Sequence, residues 1–176
     1  MSWSLIKSKH NSRDIIELEN QILSAARKGI IMYCAADDQD LYDANTPVFL
    51  GNADTKIIKT VGSSEEGGEN SKFVNVSQVE YLFPGENVLP DHPEMKGSSA
   101  ATAVAAGFAA LILLYFSAAG GKDGMAEVAD SEKMDKIFRS LRTENEWVDA
   151  TRVLSTERAT ASTVVAHCQA ALRLQR

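Results

Sequence analysis

Apolar residues along the chain change period several times, and each change marks an element. "MSWSLI" at the start is an extended, partly apolar run with no lead-in, which predicts a short strand. After the polar "KSKHNS", Ile15, Leu18 and Ile22 recur at spacings of three and four. Asn11 or Ser12 can cap this helix, and Lys28 ends it before Gly29. "GIIMYCAA" then gives a continuous apolar run, Ile30 to Ala36, of the kind found in strands covered on both faces. Strand, helix and strand in this order predict a right-handed parallel crossover.

Further on, "TKIIKTVGSS" is a strand candidate, "EEGGENSK" a surface turn, and "VEYLFPGENVL" an extended segment broken at Pro84-Gly85. A long apolar stretch, Ala100 to Phe116, predicts a buried helix, and "SAAGGKDG" behind it a flexible joint. "DSEKMDKIFRSLRTENEWV" is amphipathic, with Met134, Ile137, Phe138 and Leu141 on one face, and Ser162 to Leu174 reads as a helical tail. The pattern as a whole is α/β: a mainly parallel sheet with flanking helices and a buried central helix. We divide it at 1–150, the main domain, and 151–176, the helical C-terminal tail.

Composition narrows the functional classes. A chain of 176 residues with 44% hydrophobic content suits one domain with a real core. Its formal charge of −6 argues against nucleic acid or an anionic membrane as partner, since both require a contiguous basic surface. Lys133, Lys136, Arg139 and Arg142 do recur at helical spacing, but Glu132 and Asp135 interleave them, as on a solvated helix face. Cys34 and Cys168 are far apart in apolar settings and read as buried thiols, with neither a disulfide framework nor metal-ligand spacing. No secretory signal opens the chain, which as given is expected in the cytoplasm. The apolar stretch falls short of the roughly 20 residues of a membrane span and lacks flanking basic residues, so no membrane is expected as partner.

The candidate chemistry sits at the mouth of that apolar helix. Gly97-Ser98-Ser99-Ala100-Ala101 is a small-residue turn that feeds directly into it. The first N–H groups of a helix lack intrahelical acceptors, and the macrodipole places partial positive charge there. A serine at that point can be a helix cap, or a nucleophile that stabilises an oxyanion beside itself.

Gly97 to Gly107, "GSSAATAVAAG", resembles the Gly-Thr-Ser-Met-Ala-x-Pro-x-x-Ala-Gly motif of the subtilisin-like serine proteases (subtilases), with Ser99 on the nucleophile. Three further segments match in the family's order. Phe83-Pro84-Gly85 resembles its Ala-Pro-Gly turn, "KGIIMYCAADDQD" its strand ending Ala-Ala-Gly-Asn-Glu-Gly, and "MSWS" its Met-Ser-Leu-Gly strand. The resemblance, from Met1 to about Trp147, implies a subtilisin-like fold and peptide-bond hydrolysis through an acyl-enzyme at Ser99. It also implies substrate aligned along the backbone of Ser2, Trp3 and Ser4, with no cofactor and no assignable metal site.

The departures shape the expectation further. Ala103 replaces the motif proline and Ser98 the threonine. Asp38 stands where the family has the asparagine that donates to the oxyanion, and an ionised carboxylate only accepts hydrogen bonds. Losing that donor costs roughly 100- to 1,000-fold in turnover; Asp38 is otherwise a loop carboxylate that caps the next segment. The family's aspartate and histidine precede the strand that "MSWS" resembles, so the resemblance implies a domain truncated at its N-terminus. His92, the histidine nearest Ser99 in sequence, would need an orienting partner to serve as base. Two functional readings follow: the serine-bearing half of an endopeptidase, inactive alone and acting on polypeptide only when another chain or segment completes it, or a non-catalytic pseudoprotease used for binding or regulation.

Overall fold

Among the described residues four strands lie side by side in chain order, all parallel: β1 (Ser2–Trp3), β2 (Met32–Ala35), β3 (Ile58–Ser64) and β4 (Tyr81–Pro84). The computed structural model describes residues 2–3, 12–36, 38, 57–154 and 160–174. The proposed cap Asn11 lies outside them. Among the described residues five α-helices complete the fold: α1 (Ser12–Arg27), α2 (Ser98–Val128), α3 (Ser131–Leu141), α4 (Thr151–Leu154) and α5 (Ala161–Leu174).

Strand periodicity decides which helix covers which face. Alternate residues of a strand point to opposite sides, so Met32, Cys34 and Ile58 meet Ile22, Ala25 and Ala26 of α1, while Tyr33, Val61, Tyr81 and Phe83 face α2 and α3. α1 stops because Gly29 adopts φ +75°, where its N–H bonds the Ala26 carbonyl and the Ile30 N–H bonds that of Ala25. The chain then enters β2, buried along its whole length. The result is the three-layer α/β arrangement that the hydrophobic pattern predicts.

Phe138 is the centre of the larger core. Its ring stacks on Tyr33 and Phe108 and meets Tyr81 edge-on and Phe83 at a tilt, with centroids 5.3–5.7 Å apart. Val164 and Cys168 of α5 join the same core, so the C-terminal helix packs with the elements before it. Cys34 and Cys168 are buried free thiols, and burial pushes the Cys168 thiol up to about 11.

α2 departs in two respects from the sequence pattern. The "SAAGGKDG" joint is a break at Gly121 (φ +63°, ψ −145°), where the backbone leaves the helical range, but the chain is helical on both sides of it. Secondly, the described residues cover only one of its faces. Ala101, Ala105, Ala109, Ile112 and Phe116 are buried, while Ala103, Gly107, Ala110 and Leu114 form an open apolar stripe, Leu114 being 63% exposed. Length and apolarity alone would let α2 cross a membrane; its inner face packs on the sheet and α5.

At the N-terminal end of the sheet a charged cluster fastens α3 to the strands. The Lys59 ammonium lies 3.2 Å from Glu80 and 3.3 Å from Asp135, and Arg139 Nε donates to Asp135 at 2.9 Å. The Tyr81 hydroxyl also donates to the Asp135 carboxylate. Of the basic stripe, Arg139 therefore serves this cluster, whereas Lys136 pairs with Glu132 and Arg142 with Glu146 along the surface. Burial alone would raise the Asp135 carboxyl, but the hydrogen bonds from Tyr81 and Arg139 and the charge of Lys59 outweigh it and hold the group below its ordinary value.

Two outcomes follow. Phe138→Ala should cost about 3–5 kcal/mol in denaturant unfolding, whereas Leu114→Ala stays within about 0.5 kcal/mol. Asp135 is depressed in the folded state, so the stability it contributes is full above its ordinary value of 3.8 and is lost as pH falls through the lower folded-state value. An acid titration of stability should show that limb in the native chain and a weaker one in Asp135→Asn.

Candidate active site

The C-terminal ends of parallel strands are where α/β folds gather their chemistry. In this chain three of them converge on Gly97 and Ser98. The Gly97 N–H donates to the Gly85 carbonyl at 2.9 Å, just after β4, and the Gly85 N–H donates to the Ser64 carbonyl at 3.1 Å, at the end of β3. Asp38 arrives from beyond β2, its backbone bridged to Val74.

Neither glycine can carry a side chain here. A Cβ on Gly85 would lie 2.3 Å from Ser63 Oγ and 2.7 Å from the Gly97 carbonyl oxygen. Gly97 adopts φ +96°, and a Cβ on it would fall 2.6 Å from Asp38 Oδ2. Turn and strand ends thus meet by backbone contact, as the run of small residues allows.

Helix α2 opens at Ser98 with no cap from its own N-cap residue, Gly97. Asp38, sixty positions earlier, supplies it. One carboxylate oxygen accepts the Ser98 N–H at 3.1 Å, and the other accepts the Ser98 hydroxyl at 2.6 Å. Ser98 Oγ in turn accepts the Ser63 N–H at 3.2 Å. The Thr102 hydroxyl donates to the Ser98 carbonyl at 2.7 Å. Ser98 is fully buried.

Ser99 points the other way. It is exposed at the tip of the helix, and its side chain has no hydrogen-bond partner among the described residues. The two adjacent serines therefore divide the roles open to a serine at a helix start: Ser98 is locked into the strand ends, and Ser99 presents its hydroxyl outward. Asp38, read from the sequence as the position of an oxyanion donor, faces the helix mouth as an acceptor on both oxygens.

Of the remaining candidates, Ser2 and Trp3 form β1, paired in parallel to Tyr33 and Cys34, while Ser4 lies outside the described residues. β1 is the outermost strand of the described sheet, with α2 packed beside it. His92 is exposed in the loop before α2 and pairs with Glu94 at 3.2 Å. His167 is exposed on α5, and His10 is outside the described residues. Sequence reasoning passed over Ser63 and Ser64, both buried beside the site. The paired serines that close the strand "IKTVGSS" were the available signal.

Over 108 residues the chain is 31% identical to the major intracellular serine protease of Bacillus subtilis (strain 168), a match that covers 58% of this chain and 34% of that protein. The chain is related to the subtilisin-like serine proteases. Solved structures share its fold. The prenylagaramide maturation protease PagA superimposes with a TM-score of 0.59 at 18% identity, covering 94% of this chain and 59% of PagA. The self-cleaved protease domain of PatA gives 0.58 at 18% identity, covering 97% of this chain and 61% of PatA. The match thus spans about a third of the length of the curated relative and about three fifths of these structures. No protein-family model matches the chain.

Substitution of the two serines should separate their parts in this turn. Ser98→Ala leaves the buried Ser63 N–H and the Asp38 carboxylate short of a partner, and should cost about 1–3 kcal/mol. Ser99→Ala, on the exposed side, should stay within about 0.5 kcal/mol. Urea unfolding of the two variants checks both values.

Proposed function

We propose that this chain carries the serine-bearing part of a subtilisin-like endopeptidase domain, with Ser99 as the nucleophile position and polypeptide as substrate. One observation carries the reading: the exposed Ser99 hydroxyl at the N-terminus of an apolar helix, at the C-terminal ends of parallel strands. In the reaction, Ser99 Oγ attacks the scissile carbonyl carbon and loses its proton to a base. The Ser99 N–H helps hold the oxyanion, and the tetrahedral adduct collapses to an acyl-enzyme as the amine leaves with that proton. The backbone of residues 2–4 aligns the substrate as an added strand.

The chain alone is not competent for this sequence of steps. No histidine bonds to Ser99 among the described residues, and His92 is engaged with Glu94. Without a base the serine hydroxyl stays protonated, and the loss of such a base costs on the order of a million-fold. Completion by further polypeptide, in the same chain or another, would supply it. The open stripe Ala103, Gly107, Ala110 and Leu114 supports this, because a helix apolar on every side is normally covered on every side.

A second reading, a non-catalytic pseudoprotease with a binding or regulatory role, draws on Asp38. A carboxylate held at the helix mouth disfavours a second negative charge there. The experiment is treatment of the purified chain with a fluorophosphonate probe. The chain alone should remain unlabelled above background; labelling that disappears in Ser99→Ala would contradict its inertness. In a completed domain, Ser99-dependent labelling supports the endopeptidase, and its absence the pseudoprotease.

A further inference from the structure

We infer that Trp147 is a positioning residue for the site at Ser99: its indole braces the turn at Gly68, and the hairpin below that turn carries both segments that hold Ser98 in place. The assignment rests on the reading of Ser99 as the nucleophile position, and extends the site to a side chain beyond the edge of β4.

The contact is made on backbone. Gly68 adopts φ +82°, and a Cβ on it would fall 2.6 Å from Trp147 Cδ2 and Cε3, so the ring lies directly on the turn with no side chain between. Of residues 65–70 Gly68 alone is buried, while Glu65, Glu66 and Glu69 around it are exposed. The tryptophan is itself anchored to the sheet. The Leu82 N–H donates to the Glu146 carbonyl at 2.9 Å and the Val148 N–H to the Leu82 carbonyl at 3.0 Å, which fastens this segment along β4. Glu146 adopts φ +63°, uncommon for a residue with a side chain, in a turn closed by the Thr143 N–H on the Trp147 carbonyl at 2.8 Å. Trp147 Nε1 is buried without a hydrogen-bond partner among the described residues, unlike most buried indoles, so packing and not a polar tether sets the ring's place.

From Gly68 the contacts reach Ser98 along two branches. Below the turn, where the Gly68 N–H donates to the Glu65 carbonyl at 3.0 Å, the Ser71 N–H donates to the Ser63 carbonyl at 3.0 Å and the two serine hydroxyls meet at 2.8 Å. Ser63 then donates its N–H to Ser98 Oγ at 3.2 Å. On the second branch the Val74 N–H donates to the Ser71 carbonyl at 3.0 Å, and Val74 is bridged to Asp38, whose carboxylate accepts the Ser98 N–H and hydroxyl. The donor to Ser98 and the acceptor from it therefore both hang on one hairpin, and Trp147 is the packed contact at its tip.

Amide hydrogen exchange on the full chain tests the brace, with the Ile137 N–H of α3 as the reference for global opening. In Trp147→Ala the Ser63, Ser71 and Ser98 N–H groups should exchange at least about tenfold faster than in the native chain once the change at Ile137 is divided out. Trp147→Phe keeps a ring against Gly68 and should return them to within about threefold of the native rates. If Trp147→Ala does not fold, Trp147→Leu takes its place under the same criterion. Exchange at Ser63, Ser71 and Ser98 that rises no more than at Ile137, or that is as fast in Trp147→Phe as in Trp147→Ala, would overturn the assignment and leave Trp147 an ordinary packing residue. No turnover enters this measurement, so an unreactive Ser99 in a completed domain would refute the endopeptidase reading and leave the brace standing.

Discussion

The contact between Asp38 and Ser98 is the constraint from which the rest of the site takes its shape. A helix start is a cluster of unsatisfied donors, and in a buried turn each of them must find an acceptor. Gly97 offers no side chain, so the acceptor comes from a segment sixty positions away. That one carboxylate joins the end of β2 to the mouth of α2, while Ser63 and Gly85 join it to β3 and β4. With Ser98 turned inward by these bonds, the next residue along the helix faces solvent. The exposure of Ser99 is thus a consequence of the burial of Ser98.

Two further features come from the balance of apolar surface and charge. The sheet is covered on both faces, by α1 on one side and by α2 and α3 on the other, with α5 packed on those two helices, as parallel sheets require. α2 does not receive the same treatment. Its inner stripe is in the core, and its outer stripe, although apolar as well, is exposed. At the far end of the sheet, Lys59 is buried, Glu80 and Asp135 are half-buried, and Arg139 pairs with Asp135 from the exposed side. Opposite charges and the Tyr81 hydroxyl leave none of the four without a partner, which is what makes the burial of Lys59 tolerable.

Periodicity in the sequence was enough to locate α1, β2, β4, the start of α2 and the buried face of α3, because each of these is set by local burial and local turn chemistry. Four co-linear motifs were enough to suggest the relation to subtilisin-like proteases. What could not be read were properties that depend on distant partners. Which of Ser98 and Ser99 turns inward depends on Asp38 and Ser63, and neither is near them in sequence. Asp38 was singled out for its position, but whether it faces the helix or the solvent is a matter of tertiary geometry. The paired glycines Gly120 and Gly121 did mark a break, at Gly121, but not that the chain resumes as helix beyond it. Lys59 sat in an apolar strand pattern as an anomaly, and its explanation lay at positions 80 and 135.

The central claim is that Asp38 and Ser98 act as one unit across sixty positions of chain, and a double-mutant cycle measures that coupling directly. Unfolding free energies of the native chain, Asp38→Ala, Ser98→Ala and the double variant should give an interaction energy of about 1–3 kcal/mol, the second substitution costing little once the first has been made. Additive effects, with an interaction energy near zero, would mean that the carboxylate and the helix mouth are independent, and would contradict the account.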